Sequence, residues 1–477
     1  MSGTGSTDGT HERTEEVRPD ANRTRTEPGA IAGTRYPATP LSRRTLLKVG
    51  GALAVASTAP AFAGRRAIAA SRRQDGPPPA DTEGRLSTFN YGGEFEQQLY
   101  SDAIKRFNER YPNVEVKDNF VPVEGWSAYA NTLTTQIAGG NAPDVIHVAI
   151  EGTRLLVSKE LLAPLDDFVA GDAALQTLLT DGTAPALVEA FRVDAKLYQL
   201  PVEWNNMVIY YNTKLLAEAG LAPPAAEWTW DQFLEMAKAT TKGSGGDKVF
   251  GFGVPFFTFG LIPWFLTNGT YPLTDDWSDS NLNDPKVLEA VTFVHDLVRV
   301  HEVAPAVEGT DTGQLFSAGK LAMSGWGHWV IPGFTSSEFR DYDVQYWPRK
   351  TAATSVFGVG GWGISPESEN QALAWELIKD LSGPDLQNAT AAAGGGSIPT
   401  LRAAAENPAF LEAPPNAKIF YESLNDSKPV PSPNNFNEFE DIFMRHFGEI
   451  MSGGKTPEEG MNDAHEELSE AMAKLRS

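Results

Sequence analysis

The sequence predicts an α/β protein folded as two lobes, and three observations lead there. The chain has 477 residues, more than one hydrophobic core usually organises. Apolar residues make up 41% and aromatics 10%, so most of the chain can fold despite a formal net charge of −23. Beyond a polar N-terminus, alternating and four-residue apolar patterns succeed one another as β-α-β-α-β. That order specifies a parallel-rich sheet covered by helices.

Arg85 to Tyr91 alternates through Leu86, Phe89 and Tyr91 and reads as the first strand. Phe95, Leu99, Ala103, Phe107 and Tyr111 then recur on one face of a helix over Glu94 to Tyr111, which Pro112 stops. A second strand is expected at Val114 to Val123. Trp126, Ala130, Leu133 and Ile137 mark a second helix closed by Gly139-Gly140, and Asp144 to Val148 is a short buried strand. Further on, Thr229 and Gln232 form a capping box. Asp284-Pro285 caps a helix whose core face is Val287, Val291, Val294 and Val298. Thr456 caps the last helix, with Met461, Ala464, Leu468, Met472 and Leu475 facing inward.

The N-terminus stands apart. Met1 to Leu41 has almost no large apolar residues and is expected to be disordered. Ser42-Arg43-Arg44-Thr45-Leu46-Leu47-Lys48 precedes an apolar run, Val49 to Ala63, ending in the small-x-small site Ala61-Phe62-Ala63. Paired arginines before a mild, Gly/Ala-rich stretch resemble a twin-arginine export signal. The run's 15 residues fall short of the roughly 20 that span a bilayer. Cleavage is expected after Ala63, with a rival site near Ala69-Ala70. Residues 64–84 read as a linker.

Several chemistries are excluded. With no cysteine, disulfides, thiolate metal sites, a cysteine nucleophile and a lipidated N-terminal cysteine are ruled out. The acidity argues against nucleic acid as a partner. Gly358-Val359-Gly360-Gly361-Trp362-Gly363 imitates a dinucleotide fingerprint, yet Ile364-Ser365-Pro366 follows where a helix must start. Gly454-Lys455-Thr456 lacks the first glycine of a phosphate loop, since Glu449 stands there. His465-Glu466 has no second histidine at zinc-protease spacing. The pairs Asp166-Asp167 and Asp275-Asp276 fit turns and caps better than a glycosidase acid pair.

Aromatic residues set among glycines and polar residues in loops remain. Trp228, Trp230 and Trp375 fall on or beside helices and read as core. Trp204-Asn205-Asn206, Pro263-Trp264, Gly325-Trp326-Gly327-His328-Trp329 and Gly361-Trp362-Gly363 instead combine flat rings with close backbone approach. An apolar wall with a few polar groups suits a small-molecule pocket, and an indole can stack on a sugar.

With these phrases in order, the chain from Leu86 to Leu475 resembles the extracellular solute-binding proteins of ABC importers, the group that includes maltose-binding protein. The markers are Phe107-Asn108-Glu109-Arg110-Tyr111-Pro112, Ala138-Gly139-Gly140-Asn141-Ala142-Pro143-Asp144-Val145, Leu161-Leu162-Ala163-Pro164-Leu165-Asp166, Lys196-Leu197-Tyr198-Gln199-Leu200-Pro201, Ile209-Tyr210-Tyr211-Asn212, Phe316-Ser317-Ala318-Gly319-Lys320-Leu321-Ala322-Met323 and Gly360-Gly361-Trp362-Gly363-Ile364.

The resemblance implies a two-lobed periplasmic-binding-protein-like fold of type II with the ligand cleft between the lobes. Lobe one is then expected at 85–202 and 344–382, lobe two at 203–343 and 383–477. It implies an exported monomer at the periplasmic or extracellular face, with no enzyme activity, cofactor or metal. Its partners would be a mono- or oligosaccharide and the transmembrane subunits of an ABC permease. Carried over one at a time, the ligand-binding positions are Tyr91, Glu94, Glu151, Trp204, Asn205, Phe257, Trp264, Trp329, Trp362 and Phe436. Two other readings stay open: a polyamine or other small-solute binder of the same fold, and a secreted carbohydrate-active enzyme. The chain has Gly64 where many relatives carry a lipidated cysteine.

Overall fold

The computed structural model describes residues 76–121 and 125–476. The leader expected at 1–63 and most of the linker lie outside the described residues, as does the expected strand end at Val123.

Two sheets organise the molecule. The larger has seven strands, in the order Ile398–Pro399, Leu200–Asn206, Val356–Ile364, Val145–Ala149, Gly84–Phe89 and Val114–Lys117, with Lys428–Pro429 beside the start of Val356–Ile364. The three earliest strands run parallel, as the β-α-β-α-β pattern requires. Val356–Ile364 enters antiparallel between Val145–Ala149 and Leu200–Asn206. The smaller sheet holds Tyr342–Gln345, Val208–Asn212, Leu321–Trp326 and Phe250–Gly253 in that order.

The helices follow their sequence signals. Glu94–Arg110 buries Tyr100, Ala103 and Phe107. Trp126–Ala138 ends at Gly139. Thr229 and Gln232 cap Trp230–Thr240 reciprocally. The Asp284 side chain accepts the Lys286 N–H at the start of Pro285–Arg299. Thr456 and Glu459 exchange hydrogen bonds at the head of Pro457–Arg476. Leu475 departs from expectation: it is exposed, because the last turn extends past the core. Among the described residues, no helix is long and apolar enough to cross a membrane.

The chain passes between the sheets at several points. Met207 alone separates a strand of the larger sheet from a strand of the smaller. Residues 346–355 return the chain to the larger sheet. The helix Phe436–Ser452 then packs on Pro285–Arg299 and Pro457–Arg476 and also on Trp126–Ala138 and Ile150–Ser158. These pairings move the expected lobe boundaries. Leu200–Asn206 lies wholly in the larger sheet, so the first crossing falls at Met207 rather than after residue 202. Tyr342–Gln345 pairs with Val208–Asn212, which places 344–345 with the smaller sheet. The helix Pro384–Ala392 packs on Glu94–Arg110, and Ile398–Pro399 pairs with Trp204 and Glu203, so 383–399 goes with the larger sheet.

Candidate ligand-binding site

The site is built on the strand Val356–Ile364. Alternation along a strand puts Gly358, Gly360 and Trp362 on one face. Side chains from neighbouring segments occupy the space the two glycines leave. A Cβ on Gly358 would lie 3.3 Å from Phe259 and 3.6 Å from Glu151 Oε1; one on Gly360 would lie 3.1 Å from His147 Nε2 and 3.2 Å from Glu203 Oε1. The pattern that failed as a dinucleotide loop thus serves as a bare floor.

Over Gly360 sits a polar–aromatic cluster. A bulge at Val202 sets Gly360 opposite Glu203 and Gly361 opposite Pro201, and such an extra residue re-aims the side chains beside it. Glu203 Oε1 lies 3.4 Å from His147 Nε2. His147 is fully buried and, among the described residues, neither ring nitrogen has a hydrogen-bond partner. Burial holds His147 down at about 3 and, with help from Glu96, pushes Glu203 up to about 7. The contact therefore joins two groups that burial drives toward neutrality, in place of an ion pair. The Trp362 ring is 5.0 Å from His147 and 5.2 Å from Tyr100, and its buried N–H is unpartnered. Tyr91 packs on Trp126 at 4.9 Å and edge-on to Tyr129 at 6.2 Å. Burial, then Glu203 and Glu96, raises its phenol pKa.

Over Gly358 the two lobes meet. Glu151 lies in the first turn of the helix Ile150–Ser158 and is 6% exposed; among the described residues its Oε2 has no hydrogen-bond partner. Burial pushes it up to about 8, and Glu440 of the helix Phe436–Ser452 adds to the rise. Glu440 is itself raised by burial and accepts the Ser127 hydroxyl at 2.5 Å. Asn437 donates to Ser127 O and Asn131 Oδ1, tying the same two helices together. Phe257 and Phe259 each lie 6.2 Å from Trp329, and all three rings are part-buried. Trp329 lies against Gly327, where a Cβ would come within 2.1 Å of its ring.

The structure places the sequence-predicted residues in different settings. Tyr91, Glu151, Phe257 and Trp329 border this junction; Trp362 does not, since it is 0% exposed beneath His147 and Tyr100. Three others are packed inside. Trp264 is 0% exposed among Trp230, Phe233, Phe252, Phe293 and Trp347, which leaves its faces covered. Trp204 is buried and donates to Pro399 O. Phe436 is buried beside Phe439 at the start of its helix. Asn205 is engaged by backbone, donating to Gly396 O and accepting the His328 N–H. Glu94 is exposed, and Glu96, two residues on, is the acid that reaches Tyr91 and Glu203. Sequence reasoning missed Glu96, His147, Glu203, Phe259 and Glu440. For Glu203 a signal existed: an acid beside Trp204 in an otherwise buried strand.

A cavity of about 650 Å³ opens elsewhere, between Thr270, Tyr271, Asn281, Thr354 and Lys428. It contains no unpartnered buried polar atom, unlike the junction over Gly358 and Gly360.

Two α/β lobes, joined by repeated crossings and meeting over an aromatic and acidic surface, define a class of solute-binding protein. The chain matches the family described as bacterial extracellular solute-binding protein over residues 92–388, and it belongs to that family. An arabinooligosaccharide-binding protein of Halalkalibacterium halodurans is 23% identical over 425 residues, 82% of this chain and 91% of that relative. A galactooligosaccharide-binding protein of Bacillus subtilis is 24% identical over 379 residues, 76% and 84% of the two chains. An ABC substrate-binding protein from Listeria monocytogenes, solved with cycloalternan, superposes with a TM-score of 0.74 at 24% identity, covering 82% of this chain and all of that one. A maltose-bound T. maritima protein gives a TM-score of 0.68 at 20% identity, covering 82% and 100%.

Proposed function

We propose that this protein is the exported solute-binding subunit of an ABC importer and captures a mono- or oligosaccharide between its lobes. The observation that carries this reading is the junction itself. The bare glycines at 358 and 360 let Phe259 and the carboxyls of Glu151 and Glu203 come close over the strand, and the part-buried rings of Phe257 and Trp329 stand beside them. Aromatic faces stack on sugar rings and carboxyls accept from hydroxyls. The names of the oligosaccharide-binding relatives support the same substrate class. Capture would use hinge closure about the crossings. The closed form would dock on the permease as a monomer outside the membrane, and chemistry on the ligand has no place in this cycle.

A thermal-shift panel of neutral mono- and oligosaccharides tests this directly, since a ligand bound only by the native state raises Tm. Binding should also change tryptophan emission. Flat emission and unmoved melting across the panel would overturn the saccharide reading. Turnover of glycosides by the purified protein, lost in Glu151→Gln, would overturn the non-enzymatic one.

Export is read from Arg43 and Arg44. Arg43→Lys with Arg44→Lys keeps the charge and removes the guanidinium pair, and the two groups are not interchangeable. The expected result is folded, uncleaved precursor held in the cytoplasm. Normal export of the double-lysine variant would mean an ordinary secretory leader.

A further inference from the structure

Among the described residues, no lysine or arginine pairs with Glu96, Glu151, Glu203 or Glu440. The helix Phe436–Ser452, which carries Glu440, packs on the helix of Glu151, and the Glu440 carboxyl adds to the rise of Glu151. Glu151 is more than nine-tenths buried with Oε2 unpartnered. The Thr258 hydroxyl, buried without a well-formed hydrogen bond, lies beside the Glu440 carboxyl. Facing buried carboxyls either retain a proton or await a positive charge. No group of three or more His, Asp or Glu is gathered closely enough to hold a metal ion among the described residues, and the aromatic rings beside these carboxyls suit an organic cation. An ammonium carries three donors and no acceptor. Two carboxyls and a hydroxyl, all of them acceptors, are its complement. The rings of Phe257, Phe259 and Trp329 supply the apolar and cation–π wall such a group also favours.

We infer that the ligand carries a protonated amine, and that this amine sits between Glu151 and Glu440 as the lobes close. This deepens the saccharide reading, on which it rests, to an amino sugar. A linear polyamine offers the same chemistry from another source. The cation lets both carboxylates be ionised together, so the ligand, rather than a protein side chain, completes the contact between lobes.

The test compares three probes on the purified protein at about pH 5.5, where the amino-sugar amine, which its neighbouring oxygens hold well below an alkylamine, keeps its proton as spermidine does. They are a glucosamine tetramer, its fully N-acetylated counterpart and spermidine, each followed by thermal shift and calorimetry. The expected result is binding of the glucosamine tetramer and at least tenfold weaker binding of the acetylated one. Glu151→Gln and Glu440→Gln should each weaken the amine by roughly tenfold or more, the loss of one charge-assisted contact. Both variants are near-isosteric, and their own melting curves report folding. Binding of spermidine alone would uphold the amine and overturn the saccharide reading. Equal binding of the two tetramers, unchanged in either variant, would overturn the amine and leave the saccharide reading standing. No shift from either amine also overturns the inference, and the neutral panel then judges the saccharide reading separately.

Discussion

The tryptophans divide by what covers their faces. Trp264 is enclosed by five other rings, whereas Trp329 is part-buried beside Phe257 and Phe259. Trp264→Ala should therefore cost about 3–5 kcal/mol of stability and leave binding intact in whatever fraction folds. Trp329→Ala should leave the denaturation midpoint nearly unmoved and weaken binding, with a stacking ring contributing on the order of 1 kcal/mol. Chemical denaturation and titration of both variants separate the roles, and a large stability loss in Trp329→Ala would place it in the core. The site acids give a pH prediction at the same scale. Glu151 and Glu203 are raised to about 8 and about 7 in the folded state. Stability from these groups is complete below the ordinary glutamate pKa and is lost as pH rises through the folded values. Part of the Glu203 contribution is screened, because a quarter of its side chain is accessible. His147 and His328 are depressed to about 3 and about 4 by burial, so their contribution is lost as pH falls from the ordinary histidine pKa. The unliganded protein should melt highest at mildly acidic pH and lower on the alkaline side, and Glu151→Gln should flatten the alkaline slope. An unchanged slope would mean that Glu151 is ionised throughout.

At the scale of elements, the glycines of Val356–Ile364 differ in what they permit. A Cβ on Gly361 would meet Leu200 O at 2.6 Å and the Phe191 ring at 2.7 Å, with backbone in the way. Gly361→Ala should cost roughly 1–3 kcal/mol by overpacking. Gly358→Ala meets only Phe259 inside 3.4 Å and should fold normally while crowding the ligand. Melting and titration of the pair check this, and a Gly358→Ala protein with full affinity would remove Gly358 from the floor. The helix and strand order was legible in the sequence because each element carried a local signal, such as the box at Thr229 and Gln232 or the cap at Asp284. The site was legible only in part. Trp264 and Trp204 stand beside proline and asparagine like exposed rings, but partners far along the chain cover them. Glu440 gave no sign, since an acid on an amphipathic helix reads as solvated until the helix crosses to the other lobe. The shift from Glu94 to Glu96, both in the first turn, is a matter of which face of the helix lies toward the strand ends.

For the whole molecule, contacts across the junction set how readily the lobes part. Arg154, on the helix behind Glu151, lies 4.9 Å over the ring of Trp277 in the segment that follows Thr258–Thr267. Trp277 has a φ of 58°, unusual for a bulky residue, and the turn is held by Asp276, which accepts from Thr274 and from Ser278. A cation over an indole at a part-exposed site contributes up to about 1 kcal/mol, enough to shift an open–closed ratio about fivefold. Arg154→Ala should enlarge the radius of gyration of the unliganded protein in small-angle scattering while leaving Tm close to wild type. An identical scattering curve would show that the contact does not govern opening.

The position of Val356–Ile364 has a consequence for synthesis. This strand lies between Val145–Ala149 and Leu200–Asn206, with antiparallel partners on both sides. Until residue 364 has left the ribosome, the nascent chain holds the three joined early strands and an unpaired Leu200–Asn206, and strands with open edges invite wrong partners. The helix bearing Glu440 emerges later still. No shorter nascent chain could display both carboxyls of the junction, so ligand cannot rescue a stalled intermediate. Those edges stay open while the chain between Leu200–Asn206 and Val356–Ile364 is made, and a holding chaperone would find its substrate there.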